Sequence, residues 1–405
     1  MKLTGIVAEY NPFHNGHEYH IKKSMEQTNC DGIVAVMSGN FVQRGLPAIV
    51  DKWGRAEMAL LNGVDLVIEL PVIYSVSSAE FFSFGAVSLL NSIGVIENIC
   101  FGCETEDSEA LFQIARIFND EPQEYKVLLT NYLALGNSFP KARTMAMEKY
   151  YKAHCDKHDI TSIISLPNNI LAIEYYKSLI KLNSRITASP IKRLGSNYND
   201  KRLNSKFASA TAIREFFKDN KNIEDVRNYI PLNSFNILSY LNNKNYPLLT
   251  GDEMLDFIKY RFYSGDKTLN KLPDASEGLD NRIYNFIDKS SSLNNLIEMV
   301  KTKRYTYSRI SRLLCQYFLL FDRFNYSELR SMQCPYARIL GFNNNGRKII
   351  REMKKNSSIP IITKIPNKIN DTLKADIFAT KAYSLLNNHV ISNADYLNSP
   401  VIIKN

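Results

Sequence analysis

Short apolar runs alternate with longer amphipathic stretches through the first half of this 405-residue chain. "LTGIVAEY" (residues 3–10) is β-branched in its middle and reads as a buried strand. "DGIVAVMSG" (31–39), "VDLVIELP" (64–71), "ENICFGCE" (97–104) and "ITASPIKR" (186–193) read the same way. Between them lie helical patterns: "KWGRAEMALLNG", "SSAEFFSFGAVSLLNSIG", "EALFQIARIF", "FPKARTMAMEKYYKAH" and "NNILAIEYYKSLIKL". Strands separated by helices of this length predict βαβ units and a doubly wound parallel sheet, an α/β fold of Rossmann-like type. After about Asn220 the strand signals fade. "PLNSFNILSYLNN", "GDEMLDFIKYRFY", "GLDNRIYNFIDKS", "SSLNNLIEMVKT" and "SRISRLLCQYFLLF" space their apolar residues by three to four, with Ser, Asp and Gly at cap positions. The second half is therefore expected to be mainly α-helical, with one short strand in its tail. Single cores stop growing at roughly 250–300 residues. Two domains are expected, an α/β domain over 1–222 and a helical domain over 223–405.

Composition narrows the class. No apolar run reaches the roughly 18 residues that a membrane helix needs. The chain runs almost at once into its first strand, without the charged and apolar regions of a signal peptide. A cytoplasmic protein with no membrane partner and no obligate protein partner is expected. Six scattered cysteines with a single CxxC (Cys100, Cys103) do not form a disulfide framework, and both residues of that pair read as packing. The net charge is +9, but Lys301–Lys355 holds thirteen Lys and Arg against three Asp and Glu. A basic block confined to one region and interleaved with tyrosines fits a polyanion surface better than a solvated helical face.

Half of the six histidines fall within "EYNPFHNGHEYH", residues 9–20. Asn11-Pro12 breaks the first strand, and "HEYHIKKSMEQ" then has a helical pattern. The histidines thus sit where a strand turns into a helix, which in an open α/β sheet is the ligand crevice. A helix N-terminus there presents unpaired N–H groups and a positive dipole end to an anion. His14, His17 and His20 lack a nearby Cys or Asp and do not fit "HExxH", so no metal site is assigned. Satisfied turn histidines remain an alternative. The third reading is phosphate binding, with two imidazoles around Gly16.

His14-x-Gly16-His17 resembles the "HxGH" signature of the HIGH superfamily, the nucleotidyltransferases and class I aminoacyl-tRNA synthetases. Those domains carry a second phosphate element near "ISSTxIR", and "FASATAIR" (207–214) resembles it, with Ser209, Thr211 and Arg214 as phosphate candidates. Between them, "SGNFVQRGLPAIVDKWGRAEMALLNGVDLVIELP" places Gln43, Arg44, Asp51, Lys52 and Arg55 beside a strand end, where they are expected to neutralise a triphosphate. Together with "FGCETED", "SLPNNILAIEYY", "IKRLGS", "KRYTYSRISRLL" and "ARILGFNNNGRKIIREMKK", the pattern resembles the tRNA-Met cytidine acetate ligase family along essentially the whole chain. No "KMSKS" loop of a class I synthetase is present.

That resemblance implies a HIGH-type nucleotidyltransferase domain. It would use ATP and acetate to make acetyl-adenylate and acetylate N4 of the wobble cytidine of elongator tRNA-Met. It implies an ATP site formed by Val7, Ala8, Glu9, Tyr10, Asn11, Pro12, Phe13, His14, Asn15, Gly16, His17, Glu18, Tyr19 and His20, with Gly102, Asn168 and Arg193. His14, His17 and Lys22 are the catalytic candidates. Mg²⁺ is compatible with ATP but is not read from the residues. "KRYTYSRISRLL" makes Arg304, Arg309 and Arg312 the tRNA-binding candidates, with Tyr305 and Tyr307 as stacking rings and Ile310, Leu313 and Leu314 turned inward. A cofactor-making nucleotidyltransferase would share "HxGH" without needing the basic half. A non-catalytic RNA-binding protein would need the basic half without an intact crevice.

Overall fold

A computed structural model describes residues 1–155, 160–193, 208–218 and 222–404. Its strands are β1 (Leu3–Ala8), β2 (Gly32–Ser38), the hairpin pair β3 (Phe41–Val42) and β4 (Leu46–Pro47), β5 (Leu66–Leu70), β6 (Asn98–Cys103), β7 (Thr187–Lys192), β8 (Ala337–Phe342), β9 (Ile361–Ile362) and β10 (Val401–Ile402). All five strands expected from the apolar runs are present. The main sheet has the order β10-β8-β5-β2-β1-β6-β7, with β9 also on β8. From β5 to β7 every pairing is parallel, with Leu3 opposite Gly32 and Thr4 opposite Asn98. Parallel strands buried on both faces need apolar side chains in both directions. In β2, Val34 and Val36 enter one core cluster while Ile33, Ala35 and Met37 enter the other.

The chain runs from β1 through β2 to β5 on one side, then returns to β6 and β7 on the other. The carboxyl ends of β1 and β6 therefore border the point where the strand order reverses, which is where open α/β sheets bind ligands. Helix α1 (Asn15–Thr28) leaves β1 at this point, and α2 (Lys52–Leu61) follows the β3–β4 hairpin.

Two expectations need correction. "ARILGF", which has no strand signal beyond a short buried run, forms β8 and pairs antiparallel with β5. Such a run cannot be told from a buried helical segment by periodicity alone. The tail from Arg347 to Leu386 holds one strand, β9, as expected, but β8 before it and β10 after it bring the second half to three among the described residues. The sheet also crosses the expected boundary at residue 222, because the second half supplies its edge. The remainder of that half is helical as expected, including the helices Leu232–Asn243, Leu255–Tyr263, Leu279–Ile287, Leu293–Val300 and Tyr307–Phe318.

A buried ionic network spans this seam. Lys52 of α2 is fully buried and binds Glu69 of β5 at 2.7 Å and Asp395 at 2.8 Å. Arg338 of β8 reaches the same two carboxylates, at 3.2 and 2.8 Å. Nearby, Asp376 accepts from the Val72 N–H at 2.7 Å and from the Tyr336 hydroxyl at 2.6 Å. Removing one member of such a network strands a buried charge.

Candidate active site

A cleft enclosing about 1290 Å³, its open mouth included, lies at the carboxyl ends of β1, β6 and β7. His14 is the N-cap of α1, and its Nδ1 accepts from the Gly16 N–H at 3.0 Å. His17 returns the favour, with Nδ1 accepting from the His14 N–H at 3.2 Å. The two rings stack with centroids 3.7 Å apart. This reciprocal cap has a chemical consequence. A neutral imidazole with an accepting Nδ1 carries its proton on Nε2. Each ring is therefore fixed as an Nε2–H donor.

The imidazoles are held neutral. Burial, then the charges of Arg193 and Arg214, push His14 down to about 3. Burial, then His14, Arg193 and His20, lower His17 well below its ordinary value. Burial and Arg193 bring His20 to about 4. These cations and the N-terminus of α1 make the site receptive to an anion.

The loop ahead of α1 is anchored by its backbone. Arg214 donates to the Asn11 carbonyl at 2.7 Å and to Thr211 Oγ1 at 3.2 Å. Arg55 donates to the Glu9 carbonyl at 2.6 Å, and Asn11 Oδ1 accepts from the Ile49 N–H at 2.9 Å. Tyr10 takes a left-handed conformation (φ 47°), and its ring meets His17 edge-on at 4.9 Å. Ser209 accepts from the Ala212 N–H at 3.1 Å, so it caps the helix Ala210–Lys218 while it lines the cleft.

Most of the expected ATP-site residues converge. Val7, Ala8, Glu9, Tyr10, Asn11, His14, Gly16, His17, Tyr19, His20, Gly102, Asn168 and Arg193 line the cleft, as do Ser209, Thr211 and Arg214. Gly102 keeps room for Arg193, since a Cβ there would come within 3.1 Å of Arg193 Cγ. Pro12, Phe13, Asn15 and Glu18 do not line it. Phe13 is fully buried in the core, and Asn15 binds the carbonyls of Asn228 and Tyr229. Lys22 is not at the cleft either; its side chain is 66% exposed and pairs with Glu18 at 2.7 Å. It lies beyond His17 on α1 by five residues, more than one turn, which carries it off the lining face.

Lys52 and Arg55 are also not phosphate ligands. Lys52 belongs to the buried network, and the Arg55 guanidinium is spent on the carbonyls of Glu9, Ser38, Gly39 and Val50. Only Gln43 and Arg44 of that segment reach the cleft. Sequence reading missed Phe82, Phe101, Leu171 and Tyr175, which supply an apolar wall and look like ordinary core residues in sequence. It also missed Glu104, whose carboxylate accepts from the Asn168 and Asn169 N–H groups at 3.2 and 2.8 Å and from the Asn168 side chain. Its signal was present, since Glu104 ends the "FGCE" stretch that carries Gly102.

The basic segment differs more from expectation. Ile310, Leu313 and Leu314 are buried as expected. Arg304 precedes the helix Tyr307–Phe318, is exposed, and pairs with Glu277 at 3.0 Å. Arg309 is partly covered and binds Glu277, Ser276 and the Asp274 carbonyl. Arg312 is largely covered, and its Nε finds no partner among the described residues. Tyr305 is buried, so it is not a stacking platform. Helical spacing identified one side of this helix correctly, but the loop carrying Asp274 and Glu277 covers part of the polar side.

Comparison with known proteins is consistent with this geometry. The family model described as HIGH Nucleotidyl Transferase matches residues 1–396. The tRNA(Met) cytidine acetate ligase of Clostridium kluyveri is 51% identical over 405 residues, covering 100% of this chain and 99% of the relative. The protein of the same name from Clostridium novyi is 53% identical, with both chains fully covered. Among solved structures, Thermotoga maritima TmcAL superposes with a TM-score of 0.93 without ligand and 0.90 when bound to alpha-thio ATP. Both are 35% identical and cover the whole of each chain.

Proposed function

The chain belongs to the tRNA(Met) cytidine acetate ligase family of HIGH nucleotidyl transferases, and from that premise we propose how its residues carry the reaction. ATP and acetate react to give acetyl-adenylate and pyrophosphate. The acetyl group then passes to N4 of the wobble cytidine of elongator tRNA-Met, giving N4-acetylcytidine and AMP. Acetate is ionised at neutral pH, because a carboxyl pKa lies well below it. It attacks the α-phosphorus without a general base. The protein has to hold it in line and offset the charge that builds on the phosphate oxygens.

His14 and His17 meet that need as fixed Nε2–H donors, Arg193 and Arg214 as permanent cations, and α1 through its N-terminal dipole. In the second step N4 attacks the carbonyl carbon, the bond to the adenylate oxygen breaks, and N4 releases a proton. A cytosine amine is a weak nucleophile, so the mixed anhydride supplies the drive, and the base leaves its stack to reach the cleft. The helical half is the proposed tRNA-binding unit, with exposed Lys301, Lys303 and Arg304 before the helix Tyr307–Phe318. Mg²⁺ enters this reading with the triphosphate. Among the described residues no group of three or more His, Cys, Asp or Glu could hold an ion by itself. The reading puts the protein in the cytoplasm, where its tRNA is.

The observation that carries the reading is the convergence of His14, His17, Gly102, Asn168, Arg193 and Arg214 on one cleft at the switch point of the sheet. The test is incubation of the purified protein with ATP, labelled acetate and tRNA. Label in N4-acetylcytidine of the digested tRNA is expected. ATP turnover without labelled tRNA would instead fit a cofactor-making nucleotidyltransferase, and tRNA binding without ATP turnover a non-catalytic protein.

A further inference from the structure

The β3–β4 hairpin is the one part of the Ser38–Pro71 segment that touches both the cleft and the helical half. On the cleft side, Gln43 N–H donates to Glu9 Oε1 at 2.7 Å, and Gln43 and Arg44 line the wall. On the other side, Gly45 lies on the backbone of the helix Tyr307–Phe318. A Cβ at Gly45 would come within 2.5 Å of Arg312 Cα, and its φ of +72° also calls for glycine. Ser311 Oγ donates to the Gly45 carbonyl at 3.3 Å, and Phe41 packs against Phe318 and Tyr383 with ring centroids 6.0 Å apart in both pairs. The hairpin tip is thus held between the cleft wall and the helix Tyr307–Phe318, and Arg44, at that tip, lines the cleft.

Arg44 is set apart from the other cleft cations. Arg193 and Arg214 bear on the imidazoles, whereas Arg44 sits at the hairpin tip beside Gly45, which lies on the helix Tyr307–Phe318. Its charge also bears on Tyr307, the first residue of that helix, after burial and the carboxylates of Glu298, Asp252 and Glu215. Exposed Lys301, Lys303, Arg304 and Ser308 flank that helix start. The cleft thus carries Arg193 and Arg214 near the imidazoles and Arg44 on the wall that adjoins the basic half.

We propose that Arg44 binds the backbone phosphate beside the target cytidine and so registers the tRNA on the adenylate site. This deepens the function proposed above and rests on it. A guanidinium suits the task because its planar fork takes two phosphate oxygens at once. The ligand chemistry is a phosphate. Its source is the polynucleotide rather than the triphosphate, and the experiment separates the two.

Binding of unmodified tRNA is measured without ATP across a salt series for the parent, R44Q and R44K, alongside KM values for ATP and acetate. R44Q is expected to weaken tRNA binding by roughly 10- to 100-fold, the value of one charged hydrogen-bonded contact. Its log–log salt slope should fall by about 0.7–0.9, as one released counterion requires. R44K should keep the slope while losing part of the affinity; it also keeps the question decidable should R44Q not fold. Parent affinity for tRNA in the folded variants overturns the assignment. If KM for ATP rises instead, Arg44 belongs to the triphosphate, and if KM for acetate rises, to the carboxylate. A parent protein that acetylates tRNA while its Arg44 variants bind tRNA normally removes only this inference. A parent that transfers no acetate removes the reading beneath it as well.

Discussion

At the residue scale the central device is a pair of histidines whose tautomer is set by backbone N–H groups. Protonating His14 would remove the Nδ1 lone pair that accepts from Gly16, so the cap and the neutral state support each other. His17→Ala removes one preorganised donor and should lower acetyl-adenylate formation by roughly 10²–10³-fold, measured as acetate-dependent pyrophosphate exchange. A parent rate in the folded variant would remove His17 from the phosphate site. The same residues predict an acid-sensitive fold. An unfolded histidine titrates near its ordinary 6.5, whereas native His20 holds out to about 4 and His14 to about 3. Between those limits the unfolded chain binds more protons, so stability falls as pH is lowered. Asp376 acts in the opposite sense: burial and the neighbouring Glu69 push its carboxyl up to about 7, so the native state keeps a proton that the unfolded chain loses. Three lowered histidines outweigh one raised carboxyl. The urea midpoint should therefore be lower at pH 5 than at pH 7, and His20→Asn should reduce the difference. An equal or higher midpoint at pH 5 would contradict it.

At the element scale, helix ends do most of the positioning. Helix α1 is capped from within by its own histidines. The helix Pro167–Lys181 has no side-chain cap at Leu166 and is capped from a distance by Glu104. Asn169 answers by accepting from the Glu104 and Thr105 N–H groups at 2.8 and 3.2 Å, which ties the end of β6 to the start of this helix. Asn168 is thereby held against the cleft. Glu104→Ala should cost about 1–2 kcal/mol of stability, the range of a lost cap, and raise KM for ATP. Glu104→Gln keeps an acceptor and should fall between. Denaturant melts and ATP titrations of the two variants check this, and an unchanged KM in the alanine variant would make Glu104 purely structural. The helix Tyr307–Phe318 shows the opposite case, where periodicity named the buried side but not which arginines reach solvent. That depended on a loop some thirty residues earlier in the chain.

At the scale of the whole molecule, the two halves form a joint body. Strand β8 extends the sheet of the first half, and Lys52, Glu69, Arg338 and Asp395 lock α2, β5, β8 and the chain's end together. Breaking such a buried set typically costs 3–5 kcal/mol, because the remaining charges are left without partners. Lys52→Met should accordingly destabilise both halves at once. Trp53, the sole tryptophan, reports on the seam by fluorescence, while far-UV circular dichroism reports on the helices throughout. The two unfolding curves should coincide in the parent and shift together in the variant. Separate transitions would show that the halves unfold independently.

Strands β1, β2, β5, β6 and β7 and the histidine site were readable from the chain itself, because both are local. An apolar run between turn residues marks a strand, and His14, Gly16 and His17 reach their places within one turn of the helix they start. The family motifs then pointed to Gly102, Asn168 and Arg193, which only the sheet brings beside the histidines. Tertiary structure alone decided the rest. Lys52 and Arg55 have the charge of phosphate ligands, yet both are buried, since what a cation binds depends on which carboxylates and carbonyls the fold brings to it. Lys22 is excluded by the turn of its helix, and Tyr305 is buried under a distant loop. Strand β8 had to wait for a partner 269 residues away in sequence, Glu69 standing opposite Arg338. Periodicity reports which side of an element is apolar; it carries no information about which distant element will cover it.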